Sequence, residues 1–313
     1  MKLVFCGTPE FAVPTLRAVL DAGHEVALVL TQPDRPAGRK MELQAPAVKR
    51  LALERGLRVL QPERIKNNQE LRGTLEAMQP DAILVVAYGR IIPGWMLELP
   101  RLGNINLHGS LLPKYRGAAP IQWAVASGET ETGVTTMRLD AGLDTGDILL
   151  EKRVPIGPDT TASDIFAQLS LVGAELMIQT LKGLAQGTLA GKPQNHSEAT
   201  LAPILNREEG RLNLAERTAQ EVYNRWRGFY PWPGAHATLR GKRFLVHRMH
   251  VHRMHPDRKL LPGDLDGSTG ELLVGAAEGT LLALDEVQLE GKPKLMGINF
   301  VRDFQLQPGE RLD

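Results

Sequence analysis

Asn106 and His108 stand two residues apart in Gly103-Asn-Ile-Asn-Leu-His-Gly-Ser-Leu-Leu-Pro113, a short apolar alternation. On a strand that spacing sends both side chains to one face. The strand is expected to stop at Gly109, so the pair falls at a strand end, where α/β sheets hold their sites. A second stretch, Leu139-Asp-Ala-Gly-Leu-Asp-Thr-Gly-Asp147, supplies Asp144 in a loop flanked by glycines, with Asp140 and Asp147 as rival carboxylates. An amide, an imidazole and a carboxylate together can hold a carbonyl carbon under attack by an amine. The adduct carries a developing oxyanion, and each donor aimed at it is worth roughly 2.7–4 kcal/mol. An imidazole changes charge near neutral pH, so His108 can donate to that oxygen or take a proton from the amine. Spacing alone leaves a structural role open, since Asp144 could simply shape its own turn. Ser110 lacks the G-x-S-x-G elbow of a serine nucleophile. Direct transfer between two bound reactants is therefore expected, with no covalent enzyme intermediate.

The elements that must position these groups follow from periodicity. Lys2–Gly7 reads as a buried strand, residues 9–22 as a helix, and residues 25–31 as a second continuous apolar strand. A helix over residues 47–55, a short strand over 57–60, a helix over Gln69–Met78 and a strand over 81–88 repeat the alternation. The fold class this implies is α/β, a doubly wound, mostly parallel, Rossmann-like sheet. Further strands are expected at 133–139 and Ile148–Pro155, with helices at 118–127 and 161–184. Periodicity then fades into Gly, Thr, Pro, Asn and Ser. We take 1–188 as the catalytic domain and 189–206 as a linker. Residues 207–313 form a smaller, mostly β, barrel-like (OB-like) domain, whose β-prone runs are broken by glycine turns. The first turn, GTPEF, has one glycine where G-x-G-x-x-G needs three, so a nicotinamide cofactor is not expected.

Whole-chain charge says little: 37 Lys and Arg against 36 Asp and Glu give +1. Its distribution says more. Residues 225–259 carry nine Lys or Arg, one acid (Asp257) and five of the eight histidines, a local basic patch of the kind nucleic acids select. The connection from Thr31 to Ala47 is long for a strand-to-helix loop and carries Arg35, Arg39 and Lys40. Cys6 is the sole cysteine, which excludes an internal disulfide and a cysteine metal site. No signal peptide and no window of 18 apolar residues is found, so we expect a cytoplasmic protein without membrane contact.

At HGSLLPKYRGAAPIQWA the chain resembles the folate-dependent formyltransferases. FCGTPEFAVPTL, TQPDRPAGR, VVAYGRIIP, ETGVT, MRLDAGLDTGDIL and FYPWPGA extend the likeness, in order, to members that act on aminoacylated initiator tRNA. The resemblance implies that 10-formyltetrahydrofolate donates its formyl group to the α-amino nitrogen of methionine on initiator tRNA. It implies no metal, and a monomer. Asn106, His108 and Asp144 match the family's catalytic residues. Ser110, Leu111, Leu112 and Pro113 match its folate-contacting segment, and Tyr88 and Gly89 fall where the pteridine pocket is walled. Arg39 matches a functional arginine of the loop that meets the tRNA acceptor end, with Arg35 and Lys40 beside it.

For the second domain the resemblance implies tRNA binding, where Arg225, Arg227, Lys242, Arg243, Arg248, Arg253, Arg258 and Lys259 can neutralise phosphates, so that binding weakens as salt rises. The repeat HRMHVHRMH (247–255) departs from the family pattern. It reads as a strand lengthened by local duplication, with Arg248, His250 and His252 sharing one side, rather than as a metal site. Trp226, Phe229, Tyr230 and Trp232 are expected mainly to pack their helix. Rival readings use the same folate core on a small amine, hydrolyse the formylfolate, or bind tRNA without catalysis.

Overall fold

The computed structural model describes residues 1–37, 41–253 and 260–313. The chain divides into two compact units. The first comprises Met1–Pro120, Glu131–Pro155 and Ile165–Pro203, and the second Ile121–Thr130, Ile156–Asp164 and Ile204–Asp313. The second unit thus takes two stretches from within residues 1–188.

Seven strands build the main sheet of the first unit: β1 (Lys2–Gly7), β2 (Glu25–Leu30), β3 (Val59–Leu60), β4 (Ala82–Val86), β5 (Asn104–His108), β6 (Glu131–Arg138) and β7 (Ile148–Pro155). Their order is β7-β6-β5-β4-β1-β2-β3. Pairing from β5 to β3 is parallel, and β6 and β7 add an antiparallel edge. The β1 and β4 strands are buried on both faces, which explains their unbroken apolar runs. The longer helices are α1 (Val13–Asp21), α2 (Ala47–Glu54), α3 (Gln69–Met78) and α4 (Ala162–Gln186). The single helix expected over 9–22 divides after Ala12: a 3-10 turn, Glu10–Ala12, precedes α1, which has Pro14 in its first turn.

One face of the sheet meets α4. Gly173 on that helix leaves no space for a side chain beside Leu107, and Thr180 hydrogen bonds to Thr136 at 2.7 Å. Asn104, Asn106 and His108 project from the opposite face, in register with Ile83 and Val85 of β4 at Asn104 and Asn106. Burial pushes the pKa of the Cys6 thiol upward, as befits an inert core side chain. The loop after β2 forms a hairpin, Arg35–Ala37 with Glu42–Gln44. Its base is tied where Asp34 accepts from Lys49 at 2.8 Å and from Gln61 at 2.7 Å. Those bonds hold the Asp34 carboxyl below the usual carboxylate range.

Residues 189–206, read as a linker, are hydrogen bonded into the first unit over 192–202, where Lys192 bridges Ile148 and Leu201–Ala202 pairs in parallel with Arg116–Gly117.

The second unit is a mostly antiparallel sheet of β8 (Ala235–Leu239), β9 (Lys242–His252), β10 (Leu265–Asp266), β11 (Leu273–Gly275), β12 (Leu281–Leu289) and β13 (Leu295–Met296). Phe244, Val246 and Met249 of β9 enter its core with Val274, Leu282, Leu284 and Phe300. A capping box between Thr218 and Glu221 starts its helix α5 (Ala219–Phe229).

Candidate active site

Strand β5 leaves the sheet at His108, beside β4 and one strand from the switch in strand order between β1 and β4. The loop that follows folds back at once. Thr135 of β6 donates to the Ser110 carbonyl at 2.7 Å, and Ser110 Oγ donates to the Lys114 carbonyl at 2.6 Å. That turn brings the Tyr115 carbonyl to 2.9 Å from His108 Nε2. A carbonyl only accepts, so the ring carries its hydrogen on Nε2 and directs Nδ1 elsewhere. Nδ1 faces Asp144 Oδ2 at 3.7 Å, an ionic distance beyond hydrogen-bonding range. Both side chains are largely buried, which limits screening between them.

Of the three carboxylates in the 139–147 loop, Asp144 reaches the histidine. Asp140 is consumed by its own turn, accepting from Thr145 Oγ1 at 2.7 Å and from the Gly142 amide at 3.0 Å. Asp147 lies against Gly191. Asp144 adopts φ 51°, in the left-handed region. Its Oδ2 accepts from the Gly117 amide at 2.8 Å. Gly117 has φ 121°, and a Cβ there would sit 2.7 Å from the Ala202 carbonyl, so the position demands glycine. Asn106 is buried at 9 % exposure, and its carboxamide has no hydrogen-bond partner among the described residues. A donor, a histidine with Nδ1 uncommitted and a carboxylate therefore occupy the same strand end. This is the donor set that a tetrahedral oxyanion and a migrating proton require.

Side chains that spacing did not single out complete the cluster. Gln194 donates to the carbonyls of Asp144 and Gly146 at 2.9 and 2.7 Å and accepts from Arg116 at 2.6 Å. Their sequence signal was weak: Gln194 lies where periodicity is lost, and Arg116 resembles any surface arginine until its burial is seen.

The remaining expected residues divide. Leu111 and Pro113 are partly exposed on the loop, whereas Leu112 is buried and the Ser110 hydroxyl is spent within the turn. Tyr88 points into the core, where burial pushes its phenol pKa far up. Its carbonyl accepts from Thr8 and from Gln32 at 3.1 and 3.0 Å, beside Gly89 at φ 75°. Arg35 is exposed, 3.9 Å from Glu63. Arg39 and Lys40 lie outside the described residues.

In the second unit Lys242, Arg243, Arg248 and Arg253 are exposed. Arg225 and Arg227, expected among the phosphate contacts, are not available for that role. Arg225 pairs with Glu209 at 2.8 Å and lies over the Phe229 ring. Arg227, at 3 % exposure, donates to the carbonyls of Gly157 and Thr160 at 3.0 and 2.8 Å. Burial lowers the pKa of both guanidinium groups. Phe229 is buried and Trp226 partly so, while Tyr230 and Trp232 remain exposed. Register shifts in β9 on both sides of Arg248 change which residues face inward, so His247 and Arg248 both leave the core. Beyond the shifts, His250 contacts Asp285 at 3.0 Å and His252 contacts Glu271 at 3.4 Å. Met254, His255, Arg258 and Lys259 lie outside the described residues. Among the described residues no group of His, Cys, Asp and Glu is arranged to hold a metal ion, and no helix is long and apolar enough to cross a membrane.

Comparison with known proteins agrees with this layout. The formyl transferase family matches residues 1–181, and the formyl transferase C-terminal domain matches residues 204–305. A methionyl-tRNA formyltransferase of Acidobacterium capsulatum is 58% identical over 312 residues, covering 100% of this chain and 99% of the relative. That of Koribacter versatilis is 54% identical over 312 residues, covering 100% and 98%. Among solved structures, the N-formyltransferase of Helicobacter canadensis, in complex with folinic acid and dTDP-3-aminofucose, shares the fold. It has a TM-score of 0.68 at 18% identity, covering 91% of this chain and 98% of that one. From its strand order to its matched segments, the chain belongs to the formyl transferase family.

Proposed function

We propose that this chain transfers the formyl group of 10-formyltetrahydrofolate to the α-amino group of methionine esterified to initiator tRNA, giving N-formylmethionyl-tRNA and tetrahydrofolate. The observation that carries the reading is the convergence of Asn106, His108 and Asp144 at the end of β5, in a chain whose full-length relatives are named methionyl-tRNA formyltransferase. The free amine attacks the formyl carbon, and the C–O π pair moves to oxygen. Asn106 donates to that oxyanion. His108, holding its hydrogen on Nε2 against Tyr115, receives the amine proton at Nδ1. The resulting imidazolium faces the Asp144 carboxylate, a charge of opposite sign, at 3.7 Å. Its Nδ1 hydrogen then passes to N10 of the folate as the carbon–nitrogen bond breaks. No covalent enzyme intermediate and no metal takes part.

Residues 1–188 carry the chemistry in this reading, joined through 189–206 to a tRNA-binding domain at 207–313. Folate is held along Ser110–Pro113, through backbone groups and the exposed parts of Leu111 and Pro113, near Tyr88 and Gly89. Arg35, Arg39 and Lys40 meet the acceptor end of the tRNA, and Lys242, Arg243 and Arg248 bind its phosphates. The protein acts as a monomer in the cytoplasm. Incubation with charged initiator tRNA and 10-formyltetrahydrofolate tests the reading, with formylmethionyl-tRNA as the expected product. Transfer only to small amines, or formate release at the same rate without an acceptor, would overturn it.

A further inference from the structure

Asp144 holds its place by means that its own loop does not supply. Its backbone lies in the left-handed region that a residue with a Cβ seldom adopts, and its carboxylate rests on a single amide, that of Gly117. Both supports trace to one side chain 50 residues away. Gln194, at 6 % exposure, donates through Nε2 to the Asp144 and Gly146 carbonyls at 2.9 and 2.7 Å, gripping the loop on either side of Thr145. Its Oε1 accepts from Arg116 Nε and Nη2 at 3.1 and 2.6 Å, and Arg116 immediately precedes Gly117. We infer that Gln194 is a positioning residue for formyl transfer, setting the distance between Asp144 and His108 by tying the Asp144 loop to the Arg116–Gly117 strand. This rests on the catalytic role given to Asp144 above.

The carboxamide is the group this position needs. It has two N–H donors and two acceptor lone pairs, and all four are used here. Turning the amide over would set its donors against a guanidinium and its oxygen against two carbonyls, so one orientation alone is satisfied. Arg116 is itself buried, and its other bond is to His196 Nδ1 at 3.0 Å. Its charge is thus shared among neutral acceptors, and losing Gln194 releases the Asp144 loop from a strand that itself stays in place. The segment bearing Gln194 is pinned independently. The Thr200 carbonyl and hydroxyl accept from the amides of Arg116 and Tyr115 at 2.8 Å each, and the Ala202 carbonyl accepts from Ala118 at 2.9 Å. Tyr115 is also the residue whose carbonyl fixes the His108 tautomer. Residues 194–202 therefore support both partners of the His108–Asp144 pair.

The test compares Gln194→Met, Gln194→Glu and Asp144→Asn, singly and as the Gln194→Met/Asp144→Asn double variant. The full-length enzyme is assayed at saturating methionyl-tRNA and 10-formyltetrahydrofolate. Gln194→Met removes all four bonds. Gln194→Glu keeps the contact with Arg116 but sets oxygen against the two carbonyls, and it serves if the Met variant does not fold. A displacement of a reacting group by about 1 Å costs on the order of 100-fold. Each Gln194 variant is accordingly expected to lose roughly 10- to 100-fold in kcat, with both KM values within about twofold of wild type. The pH–rate profile should change in the same way as in Asp144→Asn. In the double variant, Gln194→Met should add almost nothing, because its target is already lost. Gln194 variants with wild-type kcat and pH profile, or losses that multiply independently, would overturn the proposal while leaving Asp144's role intact. If Asp144→Asn itself keeps wild-type kcat and pH profile, the role of Asp144 is wrong and the positioning proposal falls with it.

Discussion

At the residue scale, the histidine's two nitrogens have separate duties because their partners differ in kind. Tyr115 offers Nε2 a carbonyl, which can only accept, while Nδ1 looks toward a carboxylate too distant to bond it. In the proposed mechanism Nδ1 is the atom that exchanges a proton, and Asp144 acts on it as a charge rather than as a hydrogen-bond anchor. Asp144→Asn keeps the shape and removes the negative charge that faces the ring. We expect kcat to fall. A kcat equal to wild type would mean that the carboxylate does not act through His108. Asp140, bonded within its own turn, should show no such loss when changed to Asn.

At the scale of elements, the site is a strand end wrapped by a distant segment. The strand was legible: an apolar alternation bounded by Gly103 and Gly109 can hardly be anything else, and the continuous runs of β1, β2 and β4 announce a parallel sheet. The wrapping was not. Leu201–Ala202 pairs over two residues, too few for period 2 to show, and glycine, proline and asparagine around it are also the marks of a linker. Gly117 reports the packing most directly. Its φ of 121° and the Ala202 carbonyl 2.7 Å from any Cβ make Gly117→Ala a strained replacement. Strain of this kind costs about 1–3 kcal/mol. Thermal melting should drop by several degrees, and transfer should weaken because the same residue's amide holds Asp144. A melting temperature equal to wild type would show that the segment does not press on this loop.

For the whole molecule, the question is which cations meet the nucleic acid. Charge counting along 225–259 treated all nine Lys and Arg alike, because sequence shows the charge but not its partner. Burial separates them. Arg227 is a brace inside the second unit, donating to the Thr160 carbonyl and to the Gly157 carbonyl, which also accepts from the Thr160 amide; a buried polar group left unpaired costs about 1–3 kcal/mol. Arg243 and Arg248 are exposed on β9. Arg227→Ala should therefore lower stability by a few kcal/mol, leaving the salt dependence of tRNA binding unchanged. Arg243→Ala and Arg248→Ala should instead leave stability within about 0.5 kcal/mol. Each should also lower the slope of log K against log salt by about one. Denaturant melts and binding titrations at several salt concentrations separate the two classes. A reduced salt slope in Arg227→Ala would return that residue to the interface.

In the proposed mechanism the end of β5 performs the transfer, and Asn106 reports on that step because its carboxamide has no other partner among the described residues. Single-turnover formyl transfer by Asn106→Ala, with folate and tRNA affinities measured separately, isolates the chemical step. Loss of one oxyanion donor predicts a fall of roughly 100- to 1,000-fold in that step with both affinities little changed. A single-turnover rate equal to wild type would contradict the account.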